Sequence, residues 1–359
     1  MADWTDKPTH IRTGEELNIP QLQHFLKTHL QELSGQLSIE QFPSGFSNLT
    51  YQINLGDTQM VLRRPPFGAN IKTAHDMSRE YKILTNLIKV YPKVPRPLLY
   101  CEDESIIGAP FYIMERVNGV ILRSHMPKGM IPPAAKMSGI AESLVETFAD
   151  LHAVDYQQAG LAELGKPEGY IERQITGWTK RYFKAKTDEF KEVELTAKWL
   201  AEHLPPEIAP TLIHNDFKYD NLVLAADDWT RVIAILDWEM ATLGDPRMDL
   251  GTSIGYWINH NDPDFMKQLR LSPTTIPGNP SRGEIVEQYI KKSGRQVDHV
   301  LFFYLYGLFK IAVIIQQIYY RYKKGLTQDQ RFAQLDKAVQ GCGLVAMQAI
   351  QKKRIDDLF

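Results

Sequence analysis

One stretch constrains this chain more than any other: Leu212 to Asp249, reading LIHNDFKYDNLVLAADDWTRVIAILDWEMATLGDPRMD. Within it, His214-Asn215-Asp216-Phe217-Lys218-Tyr219-Asp220-Asn221 sets a carboxylate two residues after a histidine and an amide five residues after that. The apolar run Val232-Ile233-Ala234-Ile235-Leu236 then ends on Asp237. So short a run of branched aliphatic residues reads as a strand, which places Asp237 where a strand opens onto a loop. Any one of these residues alone is an ordinary turn residue. Together, at this spacing, they supply the base and the hard oxygen ligands that phosphoryl transfer requires.

The rest of the chain divides into two parts around that stretch. At 359 residues it is long for a single core, so two lobes are expected. The spacing of Leu22, Phe25, Leu26, Leu30 and Leu33 predicts a helix over Gln21–Leu33. Strands follow at Gln36–Phe42, Leu49–Leu55 and Thr58–Arg64, joined through Pro43–Asn48 and the Gly56-Asp57 turn. A helix over Thr73–Val90 contains Glu80, and two further strands are expected at Pro95–Tyr100 and Pro110–Met114. From Ala134 the pattern turns helical: Ala134–Leu151, Gly177–Leu204, Asp264–Leu269, Gly283–Ser293, Val297–Tyr322 and Leu326–Lys353, with short strands and loop across Leu212–Asp249. The expected architecture is α+β, with a strand-rich lobe over residues 1–115 and a helical lobe over 116–359 that carries the chemical motifs.

Composition narrows the class further. Cys101 and Cys342 are too few and too far apart for a disulfide framework or a cysteine zinc site, and MADWTDKPTH has no basic patch leading into an apolar core, so a cytoplasmic location is expected. Leu301–Tyr320 is long and apolar enough to span a membrane, but Lys310 at its centre would cost about 2.5–3.5 kcal/mol there. A buried helix is expected instead, and neither membrane nor nucleic acid is expected as a partner. The net charge of −2 conceals an asymmetry, because residues from Gly251 onward hold 15 Lys and Arg against 9 Asp and Glu. An excess of that sign suits an anionic ligand.

Phosphoryl transfer asks a protein for positioning and positive charge more than for covalent chemistry. Asp216 is placed to accept the proton of an attacking hydroxyl, and Asn221 and Asp237 to share a magnesium ion, which needs few protein oxygens because it keeps several waters. Lys218 is placed to neutralise charge on the transferred group, and His214 to organise the loop.

With these residues in view, the chain resembles the aminoglycoside phosphotransferase and choline kinase family, and especially kinase domains related to those fused to acyl-CoA dehydrogenases. The likeness covers nearly the whole chain: Phe42–Tyr51 resembles the nucleotide loop, Val61–Pro66 the following strand, and Ile107–Glu115 the approach to the hinge. It implies a bilobal protein-kinase-like fold, with a small five-stranded antiparallel sheet lobe bearing one helix beside a larger, mainly helical lobe. It also implies ATP, with GTP as an alternative, and Mg2+. Ser44, Gly45, Ser47 and Asn48 would then lie along the phosphates, Arg63 would contact the α and β phosphates with Glu80 holding it, and Met114, Glu115 and Val117 would form the adenine side, Glu115 and Val117 through their backbone. Asp249 would brace the catalytic loop. Two features depart from the family's pattern: arginine stands where many members have lysine, and the nucleotide loop has only Gly45.

The expected substrate is a small hydroxylated metabolite. Aminoglycosides are polycations that call for a carboxylate-rich pocket, whereas Lys291, Lys292, Arg295, Arg321, Lys323, Lys324 and the Lys352-Lys353-Arg354 run suit an anionic or acyl-type alcohol. A true aminoglycoside phosphotransferase and a non-catalytic nucleotide-binding protein of the same fold are the alternatives. Only about a dozen residues separate Asp237 from Asp249, leaving little platform for a peptide substrate. Nothing in the residues speaks to oligomeric state.

Overall fold

The computed structural model describes residues 4–43, 48–67, 76–269, 271–327 and 329–359. Strands β1 (Leu37–Gln41), β2 (Leu49–Leu55), β3 (Thr58–Arg64), β4 (Pro97–Cys101) and β5 (Phe111–Glu115) make an antiparallel sheet in the order β1-β2-β3-β5-β4. Successive side chains on a strand point to opposite faces, and both β3 and β5 are apolar on each. Met60, Leu62, Phe111 and Ile113 join a core beneath helix α1 (Ile19–His29), which contributes Leu22 and Leu26. Val61, Tyr112 and Met114 face the other way, into a core shared with Ile83, Leu84 and Leu87 of helix α2 (Met77–Leu87). The same alternation turns Arg63, which pairs with Tyr112 in the β3–β5 register, toward α2 and the second lobe.

Glu80 lies on the apolar stripe of α2, three, four and seven residues before Ile83, Leu84 and Leu87, and is 1% exposed. A carboxylate buried there is tolerated only with a partner, and Arg63 provides it.

The second lobe holds α3 (Ala134–His152), α4 (Tyr170–Ala185), α5 (Lys191–Glu202), α6 (Pro246–Gly255), the short α7 (Asp264–Lys267), α8 (Arg282–Ser293), α9 (Val300–Lys323) and α10 (Leu335–Lys352). The apolar helix α9 is a core element, mostly buried and packed against α6, α10 and α4. Its closest neighbour is α6: a Cβ at Gly251 would collide with the Phe303 carbonyl, and one at Gly307 with the Gly251 carbonyl. Two of its buried polar groups reach neighbouring backbone, with Lys310 Nζ 2.6 Å from the Asn215 carbonyl and Gln316 Nε2 2.8 Å from the Ala185 carbonyl.

Several boundaries differ from the sequence expectation; α1, for one, ends at His29 rather than Leu33. The single helix expected over Gly177–Leu204 is two, because Lys186 turns extended (φ −59°, ψ 127°), and α4 starts earlier, after the left-handed Gly169. Helix α6 stands where loop was expected; its signal, Asp245 capping the N–H of Arg247 with proline in the first turn, is a standard helix start. The last helix begins at Leu335, after a 3-10 turn at Gln330–Phe332, rather than at Leu326.

Candidate active site

Two short antiparallel pairings hold the loop at 214–221. Strand β6 (Thr211–Ile213) pairs with β9 (Thr242–Gly244), and β7 (Leu222–Leu224) pairs with β8 (Val232–Ile235). The second pairing continues past its ends, with the N–H of Leu236 2.8 Å from the Asn221 carbonyl, so Asn221 and Asp237 emerge side by side. From beneath, Asp249 of α6 accepts the N–H groups of His214 (2.6 Å) and Asn215 (2.7 Å) and lies 3.2 Å from His152 Nε2. Burial would raise the Asp249 pKa, but these contacts outweigh it and hold the carboxyl below its ordinary value.

His214 is buried. Its Nδ1 accepts the N–H of Asp216 at 3.3 Å, which makes Nε2 the donor to the Leu236 carbonyl at 2.9 Å. Burial pushes its pKa below the usual histidine value, so it is a neutral brace between the loop and the β8 end rather than a proton carrier.

On the open side, Lys218 Nζ lies 3.0 and 2.9 Å from the two carboxylate oxygens of Asp216, and Asn221 Nδ2 donates to the Asp216 carbonyl and to its Oδ2, each at 2.8 Å. Burial alone would raise the Asp216 pKa, but Lys218 reverses the effect and keeps it ionised. Because the amide nitrogen of Asn221 is taken, its oxygen is left to face a cation. Asp237 adopts a left-handed backbone (φ 67°, ψ 66°), an expensive conformation for a residue bearing a Cβ. Its Oδ1 accepts from Arg63 at 3.0 Å.

Arg63 closes the site from the sheet side. One guanidinium nitrogen lies 2.6 Å from Glu80 Oε1, which also accepts the N–H of Trp238 at 3.1 Å. Burial would lower the pKa of Arg63, but Glu80 and Asp237 hold it well above its ordinary value. Asn48 donates to Glu239 at 2.7 Å, and Arg79 clips the following segment by bonding the carbonyls of Glu239 and Ala241. Arg63, Glu80, Asn48, Asp216, Lys218, Asn221 and Asp237 all line one cavity of about 840 Å³ between the lobes. Met114, Glu115 and Val117 line its far end; the N–H of Glu115 is occupied by the Arg96 carbonyl, so only its carbonyl can face a ligand. Ser44, Gly45 and Ser47 lie outside the described residues.

Residues 38–277 match the phosphotransferase enzyme family. The chain belongs to that family. It is 36% identical over 308 residues to mouse (Mus musculus) acyl-CoA dehydrogenase family member 10, covering 84% of this chain and 28% of the relative. To family member 11 of Rattus norvegicus it is 35% identical over 333 residues, covering 90% and 42%. It thus spans less than half the length of these curated relatives. Among solved structures, a putative aminoglycoside phosphotransferase from Ralstonia eutropha JMP134 superposes with a TM-score of 0.78 at 30% identity, covering 94% of this chain and 99% of that one. A macrolide 2'-phosphotransferase type I, at 16% identity and a TM-score of 0.59 over 92% and 98%, shares the fold. The bilobal kinase-like architecture expected from the sequence is therefore the one observed.

The basic tail of this phosphotransferase is not where the sequence suggested. Lys292 pairs with Glu142 and Glu146, Arg295 bonds the His152 carbonyl, and Lys323 and Lys324 lie over Tyr319 and Tyr320. Of the basic residues singled out beyond Gly251, Arg321 lines the cleft. The others do not line it.

Several site residues carry no mark in the sequence. Asp6 reaches the cleft from the leader, anchored by Arg123 at 2.9 Å. Asp220, Glu239 and Trp178 also line it, and nothing in their spacing singles them out. Lys310 does carry a signal, as the charge in an apolar run, but the sequence cannot say that it reaches Asn215.

Proposed function

We propose that this phosphotransferase moves the γ-phosphoryl group of ATP, with Mg2+, onto a hydroxyl of a small anionic or acyl-type metabolite. The observation that carries this reading is Asp216, ionised and held by Lys218 and Asn221 in the cavity that Arg63 and Asp237 enter from the other side. In that place Asp216 would take the acceptor's proton and Lys218 would offset charge on the moving group. The free oxygens of Asn221 and Asp237 fit Mg2+, a hard cation content with one or two protein ligands beside phosphates and water. When bound, the ion would neutralise the phosphates. Arg63 would meet the α and β phosphates, and the Glu115 carbonyl and the Val117 backbone would meet the base.

ATP as the donor draws on structures sharing the fold: two mutant forms of one aminoglycoside phosphotransferase were solved in ternary complexes, one with ADP and hygromycin B and the other with AMP-PNP and hygromycin B. The acceptor class rests on this chain. Trp178, Tyr256, Ile314, Gln317, Ile318 and Arg321 form the helical wall of the cleft, which is apolar and aromatic with one cation and no carboxylate. That side suits an acyl or carboxylate-bearing acceptor, while the carboxylates Asp6, Asp220 and Glu239 line other parts of the same cleft. With purified protein, ATP and Mg2+, kcat/KM should favour hydroxy acids such as 3-hydroxybutyrate over kanamycin. Efficient transfer to kanamycin and to no anionic alcohol would overturn the acceptor class.

A further inference from the structure

Beside the cleft lies a second cavity, of about 420 Å³, that the transfer chemistry does not use. Its walls carry Lys166, Arg173 and Arg181 from α4 and the loop before it, Arg79 from α2 and Lys310 from α9, against one carboxylate, Glu239. Arg79 bonds the carbonyls of Glu239, Leu164 and Ala241, and Arg173 those of Glu168 and Lys166. Carbonyls orient a guanidinium without cancelling its charge. Among the described residues, none of the five cations forms an ion pair with a carboxylate. Lys166, Arg173 and Arg181 are exposed, so water screens their mutual repulsion, while Arg79 is half-buried and Lys310 buried; all five line the hollow that an anion would enter.

Two further features tie this cavity to the reaction site. Trp178, Glu239 and Met240 line both cavities, and Arg181 lies over the Trp178 ring at 4.5 Å. Lys310, 1% exposed, donates to the carbonyl of Asn215, the residue before Asp216, at 2.6 Å and lies 3.4 Å from its side-chain oxygen. An ammonium has three donors, so one remains for a ligand. Burial also pushes the Lys310 pKa down to about 8, a penalty that a neighbouring anion would relieve.

We infer that this second cavity is an anion site, built to take a carboxylate or phosphate group beside the catalytic loop. That group is either the far end of the acceptor alcohol or a free anion. The first source rests on the kinase reading; the site itself does not.

The test is calorimetric titration of the full chain with inorganic phosphate, with 3-hydroxybutyrate, and with the neutral methyl ester of the latter. Wild type should bind one equivalent of phosphate. Changing Lys166→Ala, Arg173→Ala and Arg181→Ala together, all exposed side chains outside the transfer site, should raise its Kd at least tenfold. Arg181→Glu alone should act in the same direction if the triple variant folds poorly. The ester should bind wild type and triple variant equally. In steady-state turnover with 3-hydroxybutyrate, phosphate competing with the alcohol assigns the site to the acceptor's own carboxylate, and non-competitive inhibition assigns it to a free anion. Absence of phosphate binding to wild type, or equal binding by wild type and both variants, would overturn the inference. Because the titration needs no turnover, its outcome is separable from failure of the kinase reading.

Discussion

Asp216 and Asp249 grip the same loop from opposite sides and in opposite ways. Asp249, with a fully buried side chain, accepts backbone N–H groups of His214 and Asn215. Asp216, with its side chain 18% exposed to the cavity, is held by other side chains, those of Lys218 and Asn221 with Tyr256 beside them. Bonds to the backbone fix a loop, whereas bonds between side chains can be exchanged when substrate arrives. The two lysines repeat the contrast: Lys218 is held charged by its carboxylate partner, against its burial, while Lys310, bonded to a neutral carbonyl, is pushed down to about 8 by its burial. The loop thus has a structural underside and a reactive face, and they should fail differently.

The largest separation is expected from Asp216→Asn, which should lower the transfer rate about 10²–10⁴-fold while leaving the melting temperature and ATP binding unchanged. Undiminished turnover would remove Asp216 as the base. On the underside, Asp249→Ala orphans two buried N–H groups and should cost about 3–5 kcal/mol of unfolding free energy, measured by urea denaturation; an unchanged midpoint would refute its bracing role. Arg63→Lys keeps a cation but loses the fork that spans Glu80 and Asp237. It should raise the KM for ATP about tenfold, since each tenfold step is about 1.4 kcal/mol, with a smaller change in kcat.

The smallest effect is in pH. The folded state holds the His214 pKa below that of the unfolded chain, about 6.5, so on acidification the unfolded state binds the proton first. Stability contributed by neutral His214 is therefore present above about pH 6.5 and lost as pH falls below it. Urea midpoints between pH 8 and 5 should show this fall, and His214→Gln should flatten it.

Much of the site is legible in the amino-acid sequence, because its chemistry lies in local spacing. Asp216, Asn221 and Asp237 are set by one loop and one strand end, and the period-two alternation of β3 and β5 settles which way Arg63 points. The remainder depends on long-range packing. That Glu80 meets Arg63 follows from the family resemblance alone, since a lone glutamate in a helix reads as solvated. The second cavity joins cations from α2, α4 and α9, far apart in sequence. The basic excess after Gly251 misleads because net charge carries no direction: most of those side chains face away from the cleft, and the unneutralised cations near it, Lys166, Arg173 and Arg181, precede Gly251.

Transfer of phosphate from ATP to an alcohol is read most directly by ADP release coupled to product detection by phosphorus NMR, with Mg2+ and a panel of anionic alcohols. ADP release is expected to depend on the alcohol and to match the phosphorylated product mole for mole. ATP binding that depends on Mg2+ and shifts the melting temperature, with no phosphorylated product from any alcohol, would contradict it.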